Sequence, residues 1–360
     1  MIQRSLLALL LLTAGPAYAT DAAHSSYSEG EKIFMGYDEA TLDAAYDQLQ
    51  WADNIREVYA RLGAVNEQVL AELGEPQTER YGESDTETLD WYRSDKPDAP
   101  IHIHIHGGGW RYGEARRNAF MAAPSVRAGA HVVIPNYIKV TDSNGDLIPQ
   151  AEQLRAALAW VYKNAERMGA DPERILVSGH SSGGHMAAVL LTTDWSRFSV
   201  PDDVVKQALL ISGMYDLYPV SLSARNEYVA FTEASVDALS PQRHIDKINA
   251  ELVVAVGGRE SPEFQRQSQS FVDALRDSGK DVRFVRAEAF NHFEIVEDLG
   301  NAGGLLGAIP AEQMGLGQQL ARIAFPATPG QNPISTRQTL CLSYTLVHPE
   351  PAQPSNHDQI

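Results

Sequence analysis

Short apolar runs at 101–105, 132–134, 175–178, 208–211, 252–256 and 282–285 alternate with helical patterns, and this alternation limits the chain to few architectures. The helical patterns carry apolar residues on one face, as in Leu154, Ala157, Leu158 and Val161, and recur over 185–191 and 264–275. Strands of this length cannot bury both faces alone. Interleaved with amphipathic helices, they predict an α/β fold: a mostly parallel central sheet with helices on both faces. Upstream, residues 39–73 have apolar positions at helical spacing, including Leu42, Tyr46, Leu49, Ile55, Tyr59 and Leu62, with a break expected near Gly63. The pattern turns strand-like from Thr86.

The ends differ in character. Residues 1–19 combine Arg4, a short leucine-rich run and Ala17-Tyr18-Ala19, the order of a secretory leader cleaved after Ala19. The run is too short to span a bilayer. Residues 326–360 are rich in Pro, Gln, Ser, Thr and Asn without a period and read as a tail of low order. The expected organisation is therefore a signal peptide over 1–19, an N-terminal helical segment over 20–85, a catalytic domain over 86–325 and a tail over 326–360. The leader predicts an exported protein, periplasmic or secreted. The formal net charge of −18 argues against nucleic acid as a partner, because phosphate binding needs clustered cations. The single cysteine, Cys341, allows neither an internal disulfide nor a cysteine-based zinc site.

Two motifs carry chemistry. Gly179-His180-Ser181-Ser182-Gly183 falls between the strand at 175–178 and an alanine-rich helix. A serine on so tight a strand-to-helix turn is held strained and exposed above the sheet, with the N–H groups of the following helix near any negative charge formed there. His106-Gly107-Gly108-Gly109-Trp110 directly follows the strand at 101–105. Its glycines let backbone N–H groups approach a ligand that side chains would obstruct. Gly107, Gly108 and Ser182 are the expected donors to a tetrahedral oxyanion.

These segments, with the later stretches GGRESPEFQRQS and NHFEIVEDL, resemble the arylformamidase (kynurenine formamidase) branch of the hormone-sensitive-lipase-like esterases, within the α/β-hydrolase fold. The resemblance runs from about residue 90 to 299. It implies a serine hydrolase acting on carboxylic esters or aryl formamides, with Ser181 as nucleophile and His292 as base. The acid, an aspartate in that family, falls at Glu260. Residue chemistry supports the same roles. A serine needs a base within hydrogen-bond reach, and a carboxylate on the other imidazole nitrogen sets the tautomer. Ser181, Glu260 and His292 follow the chain order Ser–acid–His of these folds. Asp216 and Glu263 compete as the acid.

The remaining histidines have plainer readings. His102, His104 and His106 share one strand face and could hold a metal, but the isoleucines opposite make an ordinary strand sufficient. His180 and His185 flank the elbow and are expected to orient or pack. Trp110, Tyr112, Tyr137, Tyr215 and Phe290, together with Met214 and Phe293, fall on loops at the strand ends and are candidate pocket walls. No cofactor or metal is required. Formylkynurenine is a cytoplasmic metabolite, so an exported chain puts small-molecule carboxylic esters first and aryl formamides second. A non-catalytic scaffold of the same fold is a third reading, weakened by the intact motifs.

Overall fold

The computed structural model describes residues 30–324, so the expectations for 1–19 and for 326–360 lie outside the described residues. Each predicted apolar run is a strand: β3 (Ala99–Ile105), β4 (His131–Pro135), β5 (Ala170–His180), β6 (Gln207–Ile211), β7 (Glu251–Gly257) and β8 (Val282–Ala287). Before them come β1 (Gln77–Arg80) and β2 (Thr88–Tyr92). The eight strands form one sheet in the order β1-β2-β4-β3-β5-β6-β7-β8. Pairing is antiparallel for β1–β2 and β2–β4 and parallel across the rest. The mostly parallel sheet is as expected. Strand β1 was not anticipated: its sequence, Gln-Thr-Glu-Arg, has no apolar alternation, and only its register against Thr88–Trp91 makes it a strand.

The helices are α1 (Glu39–Tyr46), α2 (Ile55–Leu73), α3 (Ala122–Ala128), α4 (Ile148–Asn164), α5 (Ser182–Leu191), α6 (Leu217–Ser221), α7 (Glu233–Ala238), α8 (Pro262–Asp277), α9 (Glu294–Leu299), α10 (Ile309–Gln313) and α11 (Gly317–Ala324). They bury the sheet from both sides. On one face, Ile101, Ile103 and Ile105 pack in a core with Leu154 and Leu158 of α4, the apolar side of α5, and Phe271 of α8. On the other, Val132, Ile134, Leu209 and Val253 meet α2, α3 and α9.

The N-terminal segment departs from expectation in one respect. Helix α2 runs unbroken through Gly63, and the break comes earlier, where a 3-10 turn over Gln48–Trp51 separates it from α1. The Asp47 carboxylate caps that turn on the Leu49 N–H. An interior glycine costs a helix about 0.5–1 kcal/mol. Packing of Val58, Val69 and Leu70 outweighs that.

Candidate active site

The site grows from the turn between β5 and α5. Ser181 has φ 58° and ψ −125°, a region that non-glycine residues rarely enter and that costs about 1–3 kcal/mol. The surroundings enforce it. Ser181 N–H donates to the Ile211 carbonyl on β6, and its own carbonyl accepts from His185 N–H in the first turn of α5. Gly183 is the steric condition for that turn: a Cβ there would lie 2.1 Å from the Ile105 carbonyl oxygen, so no other residue lets α5 start against β3. Gly107 makes the matching approach from the loop after β3. A Cβ on it would stand 2.9 Å from the His180 carbonyl oxygen and 3.4 Å from Ser181 Cβ.

His292 lies on the loop between β8 and α9 and is almost fully buried. Its Nδ1 donates to Glu260 Oε2 at 2.7 Å. The other oxygen, Oε1, accepts from Ser212 Oγ at 2.5 Å and from Gly257 N–H at 2.7 Å. Phe264 and Phe293 stand edge-on to the imidazole, and His180 lies 4.5 Å from it, centroid to centroid. With Nδ1 committed to the carboxylate, Nε2 is the nitrogen left for a proton from a neighbour. Ser181, His292, Gly107 and Gly108 all line one cavity of about 1410 Å³.

Both competing acids are engaged elsewhere. Glu263 accepts from Tyr46 Oη and forms a double contact with the Arg266 guanidinium. Asp216 caps α6 on Tyr218 N–H and pairs with Arg243 at 3.5 Å. A residue absent from the sequence reading, Ser212, holds the Glu260 carboxylate. Its φ of 52° directly after β6 is the structural mark of its position, and nothing in the sequence advertised it.

The histidine strand resolves residue by residue. His102 has both ring nitrogens on hydroxyls, Ser178 at 2.7 Å and Ser125 at 3.0 Å. His104 shares Ser178, and His106 stacks on Tyr137. Burial lowers the His102 pKa to about 3 and those of His106 and His185 to about 4, and pushes His104 and His180 well below the ordinary range. Among the described residues no three His, Cys, Asp or Glu side chains converge on a metal position.

The aromatic walls need correction. Of the seven candidates, Tyr112 and Phe293 line the cavity. Trp110 is buried beneath the glycine loop, donating from Nε1 to His185. Tyr137 spends its hydroxyl on the His106 carbonyl, and Tyr215 stacks on Phe271. Phe290 packs among the second core, and Met214 is fully buried. Large rings gain most from full burial, and Trp110 and Tyr137 are buried where their polar atoms find partners. The other phenylalanine and tyrosine rings on the cavity are Tyr46, Tyr59 of α2, Phe120 and Tyr228. The N-terminal helices therefore form one wall, contributing Tyr46, Gln48, Leu62 and Asn66.

Residues 89–221 match the BD-FAE family. Over 242 residues the chain is 33% identical to kynurenine formamidase of Danio rerio, covering 65% of this chain and 80% of that protein. The chain belongs to the esterase and arylformamidase branch of the α/β-hydrolases. This α/β-hydrolase is also 26% identical over 217 residues to esterase LipC of Mycobacterium tuberculosis, covering 54% of each. Esterase B of Lactobacillus rhamnosis shares its fold, with a TM-score of 0.57 and 20% identity over 77% of this chain and 98% of that one. It is thus a hydrolase, and no helix among its described residues is long and apolar enough to cross a membrane.

Proposed function

We infer that this α/β-hydrolase cleaves small carboxylic esters by acyl transfer through Ser181, His292 and Glu260. The observation that carries the reading is the 2.7 Å bond from His292 to Glu260, on a ring that faces the same cavity as the strained Ser181. Ser181 Oγ attacks the ester carbonyl as His292 Nε2 takes its proton. Gly107, Gly108 and Ser182 N–H groups receive the oxyanion, each worth roughly 10² to 10³ in turnover. His292 then protonates the departing oxygen, activates a water on the acyl-enzyme, and returns its proton to Ser181. Glu260 stays ionised, holding the tautomer and offsetting the imidazolium charge.

Aryl formamides are the second reading, favoured by the similarity to the Danio rerio kynurenine formamidase. An amine leaves less readily than an alkoxide or phenoxide, so that reaction depends more on protonation by His292. The leader-like residues 1–19 favour export and thus the ester reading. Turnover of p-nitrophenyl esters of graded chain length and of N-formylkynurenine, with Ser181→Ala as control, separates them. Ester turnover lost in the variant, with little formamide cleavage, supports the first reading. Formamide turnover exceeding ester turnover supports the second. Equal rates for variant and wild type refute both.

A further inference from the structure

Two arginines in the cavity have no carboxylate partner among the described residues, in a chain of net charge −18. Arg111 follows the glycine loop, and its guanidinium lies 4.1 Å above the Tyr228 ring and 5.1 Å from that of Tyr112. A guanidinium carried over a ring face still has N–H donors to offer a planar oxyanion. Arg225 is fixed beside it. Its Nη1 donates to Tyr228 Oη at 2.9 Å and its Nη2 to the Tyr46 carbonyl at 2.8 Å, while Nε is buried without a partner. A Cβ on Gly109 would stand 3.4 Å from Arg225 Nη1. Both cations therefore border the glycine loop two residues from Gly107, no more than about 7 Å of chain.

The other charges of this cavity are mostly engaged. Arg116 pairs with Glu75 and Arg117 with Glu114. Asp43 accepts from Ala224 N–H, and Asp47 from Leu49 N–H and the Gln50 amide. Glu67 and Glu227 are exposed to solvent. The unspent donors are thus those of Arg111, beside the exposed ring of Tyr112.

The geometry points to an anion subsite formed by Arg111 and Arg225 that takes a carboxylate carried on the leaving group of the substrate. This rests on reading the cavity as the substrate site. Arg111 grips the carboxylate with its N–H donors, and Arg225 holds the Tyr228 ring over which Arg111 lies. Anionic aryl esters are then preferred over their neutral counterparts.

The test compares kcat/KM for 3-carboxyphenyl acetate and phenyl acetate. The wild type should favour the anionic ester, a charge-assisted contact being worth about tenfold or more. Arg111→Ala should lower that preference by a similar factor, and Arg111→Glu should reverse it. Titrating 3-hydroxybenzoate into Ser181→Ala reads the subsite without turnover: binding is expected, and adding Arg111→Ala should abolish it. Equal loss for both esters, or unchanged binding in the double variant, overturns the subsite while phenyl acetate turnover keeps the Ser181 reading. Binding through Arg111 with neither ester cleaved has the opposite meaning, sparing the subsite and sinking the catalytic reading.

Discussion

Glu260 is one methylene longer than the aspartate that the family resemblance leads one to expect, and its surroundings show how the extra length is absorbed. Its Oε1 folds back onto Gly257 N–H and Ser212 Oγ, so that Oε2 alone reaches His292. Shortening the side chain withdraws the carboxylate by about one bond, roughly 1.5 Å. Glu260→Asp should therefore cost about 10–100-fold in kcat/KM, without the loss of folding that an unpaired buried charge would bring. Ser212→Ala removes one of three bonds to the same carboxylate. A reduction of about threefold to tenfold is expected, and the same kinetic assay reads it. Ser181→Ala should drop kcat by about 10⁴ or more, since triad members act as a unit. Ester hydrolysis surviving Ser181→Ala would remove the nucleophile from this account.

At the scale of elements, the N-terminal helices are fastened to the two loops that carry Glu260 and His292. Gln48 donates from its amide to Ser261 Oγ at 2.6 Å, and Ser261 Oγ donates to the Ala45 carbonyl at 2.5 Å, one residue from Glu260. Asn54 donates to Glu294 at 2.6 Å and accepts from the Asn291 amide at 2.8 Å, one residue from His292. A wall tied in this way is a fixed part of the site. Asn54→Ala should lower thermal stability by about 1–2 kcal/mol and reduce kcat more than it raises KM. A pure KM effect would mean that Asn54 shapes the pocket without positioning His292. Gly63 gives a test of opposite sign. Its interior position in α2 has no atom within 4 Å of a Cβ site, so Gly63→Ala should stabilise by about 0.5–1 kcal/mol, a Tm gain of about 2 °C.

For the whole molecule, burial of neutral histidines sets the response to acid. His102, His106 and His185 titrate at about 3, 4 and 4 when folded, and His104 and His180 are also depressed by burial. In the unfolded chain all five regain an ordinary value of roughly 6.5. Below that pH the unfolded state binds more protons, so stability is full above about pH 6.5 and falls as pH drops toward the folded values. Each histidine contributes a slope of at most about 1.4 kcal/mol per pH unit in that window. Urea midpoints should therefore decline steeply between about pH 6.5 and 4. His106→Asn should flatten the decline, and a profile unchanged in that variant would show that carboxylates dominate.

Strand–helix alternation, the Ser181 elbow and the glycine loop were legible because each is written in consecutive residues. Period-2 and period-3.6 patterns and glycines at tight turns are local properties, and local properties survive without coordinates. The leading choice of Glu260 over Asp216 and Glu263 came from the family resemblance and from its place directly after the strand at 252–256, since chain order fits all three. Its geometry is another matter: pairing of Glu263 with Arg266, and of Glu260 with His292 and Ser212, joins residues far apart in sequence. The same holds for strand β1, whose polar residues pair only because β2 lies beside them. It holds too for the cavity walls, where Trp110, Tyr137 and Tyr215 are buried away from the cavity while Tyr59 and Tyr228, which no local pattern marked as walls, line it. Sequence by itself determined the layered fold and the backbone turns that the chemistry needs. Tertiary structure alone decided which carboxylate meets His292 and which rings and cations line the cavity, because those contacts depend on how distant side chains compete for the same buried space.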